Sequence, residues 1–327
     1  MTNNTSNINN ATGPAHFKAS FMVPSFLFLL FIMIMSLSGN ILVILAFKTY
    51  RKLRTKTNYF VVSLAIADIL VSLFSMPIWA AYLLTGPNWI FSETLQRIWT
   101  GVDILCGVAS IINLAAISIE RCICITHPLT YHTTMTSRRA INIIVLNWIF
   151  AFIMSTVKII WYTLERPYYE LIISISCFFI PLFIMCFSYH LIFKAARYQA
   201  RQIALVVKGG VRNFFLSTEV RAAKTLAVVM GTFIVSWGPF FIINLVWGFC
   251  GEDNCIPPTT VMVVKWMHYS NSFYNPIVYA CMNKEFRGAF ANILCRRLCY
   301  SRHRKRSKSS GTTLNVSDYL SNGDIHR

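Results

Sequence analysis

The sequence predicts an all-α membrane protein, a bundle of seven transmembrane helices followed by a short amphipathic cytoplasmic helix. Three observations carry that prediction. The 327 residues are 55% hydrophobic and 13% charged, against roughly 45–50% and about 25% in an ordinary soluble domain. Seven apolar runs reach the ~20 residues that a spanning helix needs, at roughly 22–47, 59–84, 98–120, 140–161, 170–193, 224–249 and 259–282. Lys and Arg also gather in alternate connections, which is how cytoplasmic loops are marked.

Residues 1–21 are polar and carry Asn3, Asn4 and Asn10 in N-x-S/T sequons, predicting a glycosylated extracellular tail. No charged-then-apolar segment with a small-residue cleavage site opens the chain, so the first span is expected to act as an uncleaved insertion signal. The first connection holds Lys48, Arg51, Lys52, Arg54 and Lys56, the third Arg138 and Arg139, and the fifth Lys194, Arg197, Arg201, Lys208, Arg212 and Arg221. The opposite side shows only Lys18, Arg97, Lys158, Arg166 and Lys265 near or outside the spans. The expected placement is therefore a multi-pass protein of the plasma membrane, N-terminus outside and C-terminus in the cytoplasm. The formal charge of +18 then faces the anionic lipids of the inner leaflet and cytoplasmic partners, not nucleic acid.

Of ten cysteines, Cys106, Cys122, Cys124, Cys177, Cys186 and Cys281 fall in or at the ends of apolar runs, where Cys packs as a small hydrophobe. Cys250 and Cys255 sit in an outer connection and are expected to form one local disulfide. Past the seventh span, 283–297 reads as a juxtamembrane amphipathic helix ending near Cys295 and Cys299. These two are candidates for palmitoylation or plain cytosolic thiols. Residues 298–327 are basic and then rich in Ser and Thr, which predicts a disordered cytoplasmic tail.

Ionisable groups inside spans each cost at least ~2.5–3.5 kcal/mol on insertion scales, so they mark function. Asp68 has polar company in Ser110, Asn271, Ser272 and Asn275, an oxygen-rich set suited to a hard monovalent cation or water, or to a protonated structural Asp. Asp103 and Arg121 share one face of the third span, about 27 Å apart along its axis. Trp99 lies one turn from Asp103, and the late spans offer Trp237, Phe240 and Phe241, with Trp266 and Tyr269. A carboxylate among ring faces suits an organic cation, each ring adding about 0.5–2 kcal/mol. At the inner end Arg121 adjoins Glu120, with Glu219 at the entry to the sixth span, a constellation fit for a switchable latch. Pro77, Pro181, Pro239 and Pro276 interrupt four spans and permit bends.

Taken in order, Gly39-Asn40, Leu64 to Asp68, Glu120-Arg121-Cys122, Trp148, Pro181, Tyr189, Trp237-Gly238-Pro239 and Asn275-Pro276-Ile277-Val278-Tyr279 closely resemble the rhodopsin-like G-protein-coupled receptors over about residues 25 to 297. The resemblance implies a sodium pocket at Asp68, Ser110, Asn271, Ser272 and Asn275. It implies a relay of Pro181, Ile111 and Phe233, with Trp237 as the rotamer-sensitive residue beneath the ligand. Arg121, Tyr189 and Tyr279 would reorganise as the sixth helix swings outward to admit a heterotrimeric G protein, and arrestin and receptor kinases would follow. The pocket is most similar to the monoamine branch, with Asp103 as the amine-binding acid, Trp99, Phe240, Phe241, Trp266 and Tyr269 as its cage, and a small cationic extracellular ligand.

Four departures stand against a full transfer. Gln96 takes the place of the third-span cysteine, and the outer loop near 162–167 has no cysteine, so the common loop disulfide cannot form. That combination is similar to melanocortin-type and lipid-type receptors, which leaves a peptide or lipid ligand as the alternative. Cys122 and Ser236 replace a usual Tyr and Cys, and the fifth span offers Ile173, Ser174, Ser176 and Cys177, unlike a catecholamine site. Lys265 is the sharpest: its turn faces the pocket in this family, so it either pairs with Asp103 or snorkels to water. Pairing would call for a zwitterionic ligand, or give high basal activity with weak amine affinity. With no Walker loop, metalloprotease motif or nucleophile elbow, the chain is not expected to be an enzyme. The reading from another class is an ion-coupled membrane transporter using Asp68 and Asp103.

Overall fold

The computed structural model of the protein describes residues 19–85, 90–160, 168–206, 210–250 and 255–295, and the side chains among them except at 19–21, 196, 199–206 and 210–226. Its helices are α1 (Ala19–Thr49), α2 (Lys56–Thr85), α3 (Glu93–Thr126), α4 (Ser137–Ile160), α5 (Tyr168–Ser174, Ile175–Phe179 and Ile180–Val206), α6 (Gly210–Cys250), α7 (Pro258–Met282) and α8 (residues 284–295). Arg51–Leu53 and Pro128–Thr134 are short helices within the first and third connections.

Among the described residues, α1 to α6 are long and apolar enough to cross a membrane. The 25-residue α7 has the length but is diluted by Lys265, His268, Ser270, Asn271, Ser272 and Asn275, all of them buried. Polar groups turned inward lower a helix's average hydropathy without exposing it to lipid. The outward surface shows the complementary pattern, with Phe152, Ile160, Phe183 and Phe249 more than 60% exposed. Side chains of this kind would be costly in water and carry no cost against lipid tails.

The helices outrun the apolar windows because their ends are capped. Ser92 Oγ accepts from Leu95 N at 3.3 Å, so α3 starts at Glu93 and ends at Thr126 instead of spanning only 98–120. Thr55 Oγ1 accepts from Asn58 N at 3.3 Å at the start of α2. Asn283 Oδ1 accepts from the N–H groups of Glu285 and Phe286 and opens α8, whose Phe286, Ala289 and Phe290 are buried while Lys284, Glu285 and Arg287 are exposed. Residues 284–295 of the stretch expected as an amphipathic helix are helical.

The four span prolines act in two ways. Pro239 and Pro276 lie inside unbroken α-helix. Pro77 and Pro181 each follow a π-turn, Val71–Ser75 and Ile175–Phe179. A proline has no N–H to return to the preceding turn, and widening that turn by one residue accommodates the loss.

Packing runs in a closed ring: α1 on α2, α2 on α3, α3 on both α4 and α5, α5 on α6, α6 on α7, and α7 back on α1. Helix α3 is central. Close approach is purchased with small residues: a Cβ on Gly39 would lie 2.7 Å from Pro276 Cβ, and one on Gly107 would lie 2.4 Å from Trp237 Cη2. Cys250 and Cys255 are disulfide-bonded, Cα atoms 6.4 Å apart. Asn3, Asn4, Asn10 and Cys299 lie outside the described residues, as does the side chain of Glu219.

Candidate functional site

The outer half of the bundle is organised around Asp103, a carboxylate only 7% exposed on the third turn of α3. Its Oδ2 accepts from Lys265 Nζ of α7 at 2.8 Å, and its Oδ1 accepts from Ser75 Oγ of α2 at 2.6 Å. Ser75 has a single proton and gives it to Asp103, so the 3.0 Å contact with Tyr269 Oη is a phenol donating to Ser75. Trp99 Nε1 donates to the Ser75 carbonyl at 3.1 Å. The π-turn Val71–Ser75 ahead of Pro77 brings Ser75 inward.

The Lys265 ammonium sits inside four rings, with centroids at 5.0 Å for Trp99, 5.0 Å for Phe240, 5.3 Å for Tyr269 and 5.8 Å for Trp79. Trp79 and Trp99 are stacked 6.0 Å apart and nearly parallel, which fixes one wall. An ammonium facing a carboxylate and ring faces has ion pairing and cation–π attraction together. The site as it stands holds a primary ammonium, and that ammonium is the protein's own.

Not every expected cage residue takes part. Phe241 stacks on Phe178 of α5 at 4.6 Å and tilts against Trp237, below the ammonium. Trp266 meets Phe28 of α1 edge-on at 5.6 Å. One residue along a helix turns the side chain by about 100°, and Trp266 packs at the edge of the cluster that holds Trp79 and Tyr269, outside the rings that meet the Lys265 ammonium among the described residues. Sequence reasoning missed Ser75, Trp79 and His268. The signal for His268 was available, since it stands at i+3 from Lys265 on the stripe that continues to Ser272.

His268 forms the floor with Trp237. It is 2% exposed, its ring centroid lies 3.9 Å from that of Trp237 and 4.9 Å from that of Phe240, and its Nδ1 has no hydrogen-bond partner among the described residues. Trp237 Nε1 is likewise unpartnered there. Trp237 in turn reaches Phe233 at 6.1 Å, and Phe233, Ile111 and Pro181 are all buried, the first two in the main core. A continuous column of side chains therefore links the ammonium site to mid-membrane.

One level deeper, Asp68, Ser110, Asn271, Ser272 and Asn275 are all no more than 4% exposed. Asn275 Nδ2 donates to Asp68 Oδ2 at 2.9 Å. Asp68 Oδ1, Asn271 Oδ1 and Asn275 Oδ1 have no donor among the described residues. Three buried oxygens without donors are the ligand set a hard cation takes, so these residues fit sodium.

At the inner end Glu120 is fully buried. It accepts from Arg121 Nε at 2.7 Å and Nη2 at 2.6 Å, and from Thr57 Oγ1 at 3.0 Å. Tyr131, from the helix Pro128–Thr134, donates its phenol proton to Glu120 and lies 3.5 Å from Arg121 Nη2. Burial first, and then the Glu120 charge, push the Tyr131 phenol above its ordinary range. Tyr189 packs half-buried against Cys122, Ile125 and Ile192, and Tyr279 is buried and stacked on Phe286.

Comparison with known proteins places the chain in a family. Residues 39–279 match the family model described as 7 transmembrane receptor (rhodopsin family). The chain is 34% identical over 308 residues to the histamine H2 receptor of Cavia porcellus, covering 88% of this chain and 84% of that one. It is 35% identical over 316 residues to the octopamine receptor beta-2R of Chilo suppressalis, covering 83% and 79%. It is 32% identical over 324 residues to the alpha-1A adrenergic receptor of Oryctolagus cuniculus, covering 85% and 69%.

Proposed function

Because the chain belongs to the rhodopsin family of seven-transmembrane receptors, which are receptors and not enzymes, we propose that it binds a small extracellular ligand bearing a cationic amine and activates a heterotrimeric G protein. One observation carries the reading: Asp103, inside a ring of Trp79, Trp99, Phe240 and Tyr269, already grips an ammonium at 2.8 Å. The relatives named for histamine, octopamine and adrenergic ligands support the same class. The peptide and lipid alternatives have no comparable observation behind them.

In this proposal a ligand ammonium takes Asp103 and moves Lys265 away. The shift passes through His268 and Trp237 to Phe233 and Ile111, loosens α6, and frees Arg121 from Glu120 for the G protein. Sodium held by Asp68, Asn271 and Asn275 would stabilise the resting arrangement. The basic connections support an inward-facing cytoplasmic side and contact with anionic lipids, with the N-terminus outside the plasma membrane. Arrestin and receptor kinases belong to the same scheme through the Ser/Thr-rich tail, as do glycans on Asn3, Asn4 and Asn10 and palmitate on Cys295 and Cys299.

The test is a panel containing histamine and octopamine applied to cells expressing wild type or Asp103→Asn at matched surface level, reading G-protein recruitment. A wild-type response reduced at least 100-fold by Asp103→Asn supports the reading. Equal responses would remove its basis.

A further inference from the structure

The ammonium in the cage belongs to Lys265, and this changes what a ligand must look like. A ligand with only an ammonium can replace Lys265 on Asp103, but among the described residues it leaves the lysine cation without a counterion beside a second cation. No other carboxylate among the described residues of the outer half is available to receive it. Glu93 is engaged with Arg97 at 2.5 Å, and Glu170 with Lys158 at 3.0 Å on the far side of the bundle between α4 and α5. A neutral or purely anionic ligand has the opposite defect, since it must take Lys265 and strand Asp103. A ligand carrying both charges lets the Asp103–Lys265 pair open with each partner reoccupied and the net charge of the site unchanged, which neither a bare amine nor an anion does among the described residues.

The surrounding groups narrow the class further. In an α-amino acid both charged groups are attached to one carbon, so such a molecule inserts into a single ion pair with little separation of the two side chains. The rings that flank the pair, Trp79, Trp99 and Phe240, offer faces for an aromatic side chain. His268 below them is 2% exposed and presents Nδ1 without a partner among the described residues, a hydrogen-bonding position for a phenol, imidazole or indole N–H.

We propose that the natural ligand is a zwitterion of the aromatic α-amino acid type, its ammonium on Asp103, its carboxylate on Lys265 and its ring against Phe240 and His268. This rests on the amine-receptor reading above and makes Lys265 the residue that selects for the carboxylate. The intramolecular pair is then the resting occupant of the site, and a decarboxylated amine is a poor competitor for it.

Three matched pairs test this: tyrosine with tyramine, histidine with histamine, and tryptophan with tryptamine, on cells expressing the full chain, with G-protein activation as readout. On wild type, at least one amino acid should act at a concentration at least tenfold below its amine. Lys265→Met should invert that order, raising amine potency and lowering that of the amino acid, whereas Lys265→Arg should keep it. Surface level is measured for each variant, and if Lys265→Met is not delivered, Lys265→Gln serves in its place. The proposal is overturned if no amino acid acts on wild type, if the amines match or exceed them, or if neutralising Lys265 leaves the ratio unchanged. Amines that act through Asp103, with silent amino acids, would leave the amine-receptor reading standing. Responses indifferent to Asp103→Asn would end both.

Discussion

Lys265 Nζ and Asp103 Oδ2 are 2.8 Å apart, although 162 positions separate the two residues in the chain. The contact closes α7 onto α3 and leaves neither side chain more than 11% exposed. A pair so placed has been desolvated at considerable cost and is held by geometry, with Ser75 supplying the second hydrogen bond to the carboxylate. Its worth shows when only one partner is removed.

Lys265→Met and Asp103→Asn should each lower stability by about 3–5 kcal/mol, because each strands a buried charge or its partner. The double variant should recover most of that loss. Thermal unfolding in lipid nanodiscs checks this, and losses that simply add would show that the two side chains do not depend on each other.

Ser75→Ala should weaken ligand potency about tenfold, corresponding to about 1.4 kcal/mol and consistent with losing one hydrogen bond to a charged group. Tyr269→Phe, which acts on Asp103 only through Ser75, should cost less. Dose-response curves for the most potent panel compound, measured on both variants, give the order.

Much of this site was legible in the sequence because a charge within an apolar run stands out wherever the chain goes. Asp68, Asp103, Arg121 and Lys265 were found that way, and Trp99 and Tyr269 followed from helical spacing. Ser75 and Trp79 were not, since what aims Ser75 at Asp103 is a widened turn, and Pro77 announces a bend without giving its direction. Phe241 and Trp266 were assigned to the cage by helical spacing, Phe241 at i+4 from Trp237 and Trp266 at i−3 from Tyr269, and by the family resemblance, neither of which says which ring reaches the ammonium. Tyr131 reaches Glu120 from a connection between spans, where no period exists to read. The bundle itself was legible as seven apolar runs, but α3 proved longer than its run because Ser92 caps it in polar surroundings.

Gly107→Ala should disturb signalling more than stability. The added Cβ would fall 2.4 Å from Trp237 Cη2, and the indole is the part able to move, so its rotamer should change at a cost of about 1–3 kcal/mol. Basal nucleotide exchange by the variant should differ several-fold from wild type at equal surface level. Unchanged basal and stimulated exchange would separate Trp237 from the switch.

Tyr131→Phe should raise basal exchange, since it removes a donor to Glu120 and loosens the grip on Arg121. The pH dependence follows from the upward shift of the phenol, caused chiefly by burial and then by Glu120. A pKa raised on folding means that the tyrosine's stabilisation is complete below the ordinary phenol value of about 10 and fades only as pH climbs through the higher folded value. Basal exchange of wild-type protein in vesicles should therefore show no Tyr131-dependent step between pH 7 and pH 9. A step there that Tyr131→Phe abolishes would contradict the assignment.

The deeper polar cluster makes the last prediction. Asp68 Oδ1, Asn271 Oδ1 and Asn275 Oδ1 are buried without donors, and leaving such oxygens bare costs about 1–3 kcal/mol each. A sodium ion at Asp68 would balance its charge and give its bare oxygen a partner, and it would do so in the arrangement where Asn275 of α7 meets Asp68 of α2. Any ligand that favours a rearranged bundle is then linked to the ion with opposite sign, each weakening the other by the same factor. Replacing choline chloride with sodium chloride at constant ionic strength should lower agonist potency several-fold and raise thermal stability. Asp68→Asn should abolish both responses while retaining surface expression, because an amide keeps the hydrogen bond with Asn275 and loses the charge the ion needs. A sodium effect that survives Asp68→Asn would place the ion elsewhere.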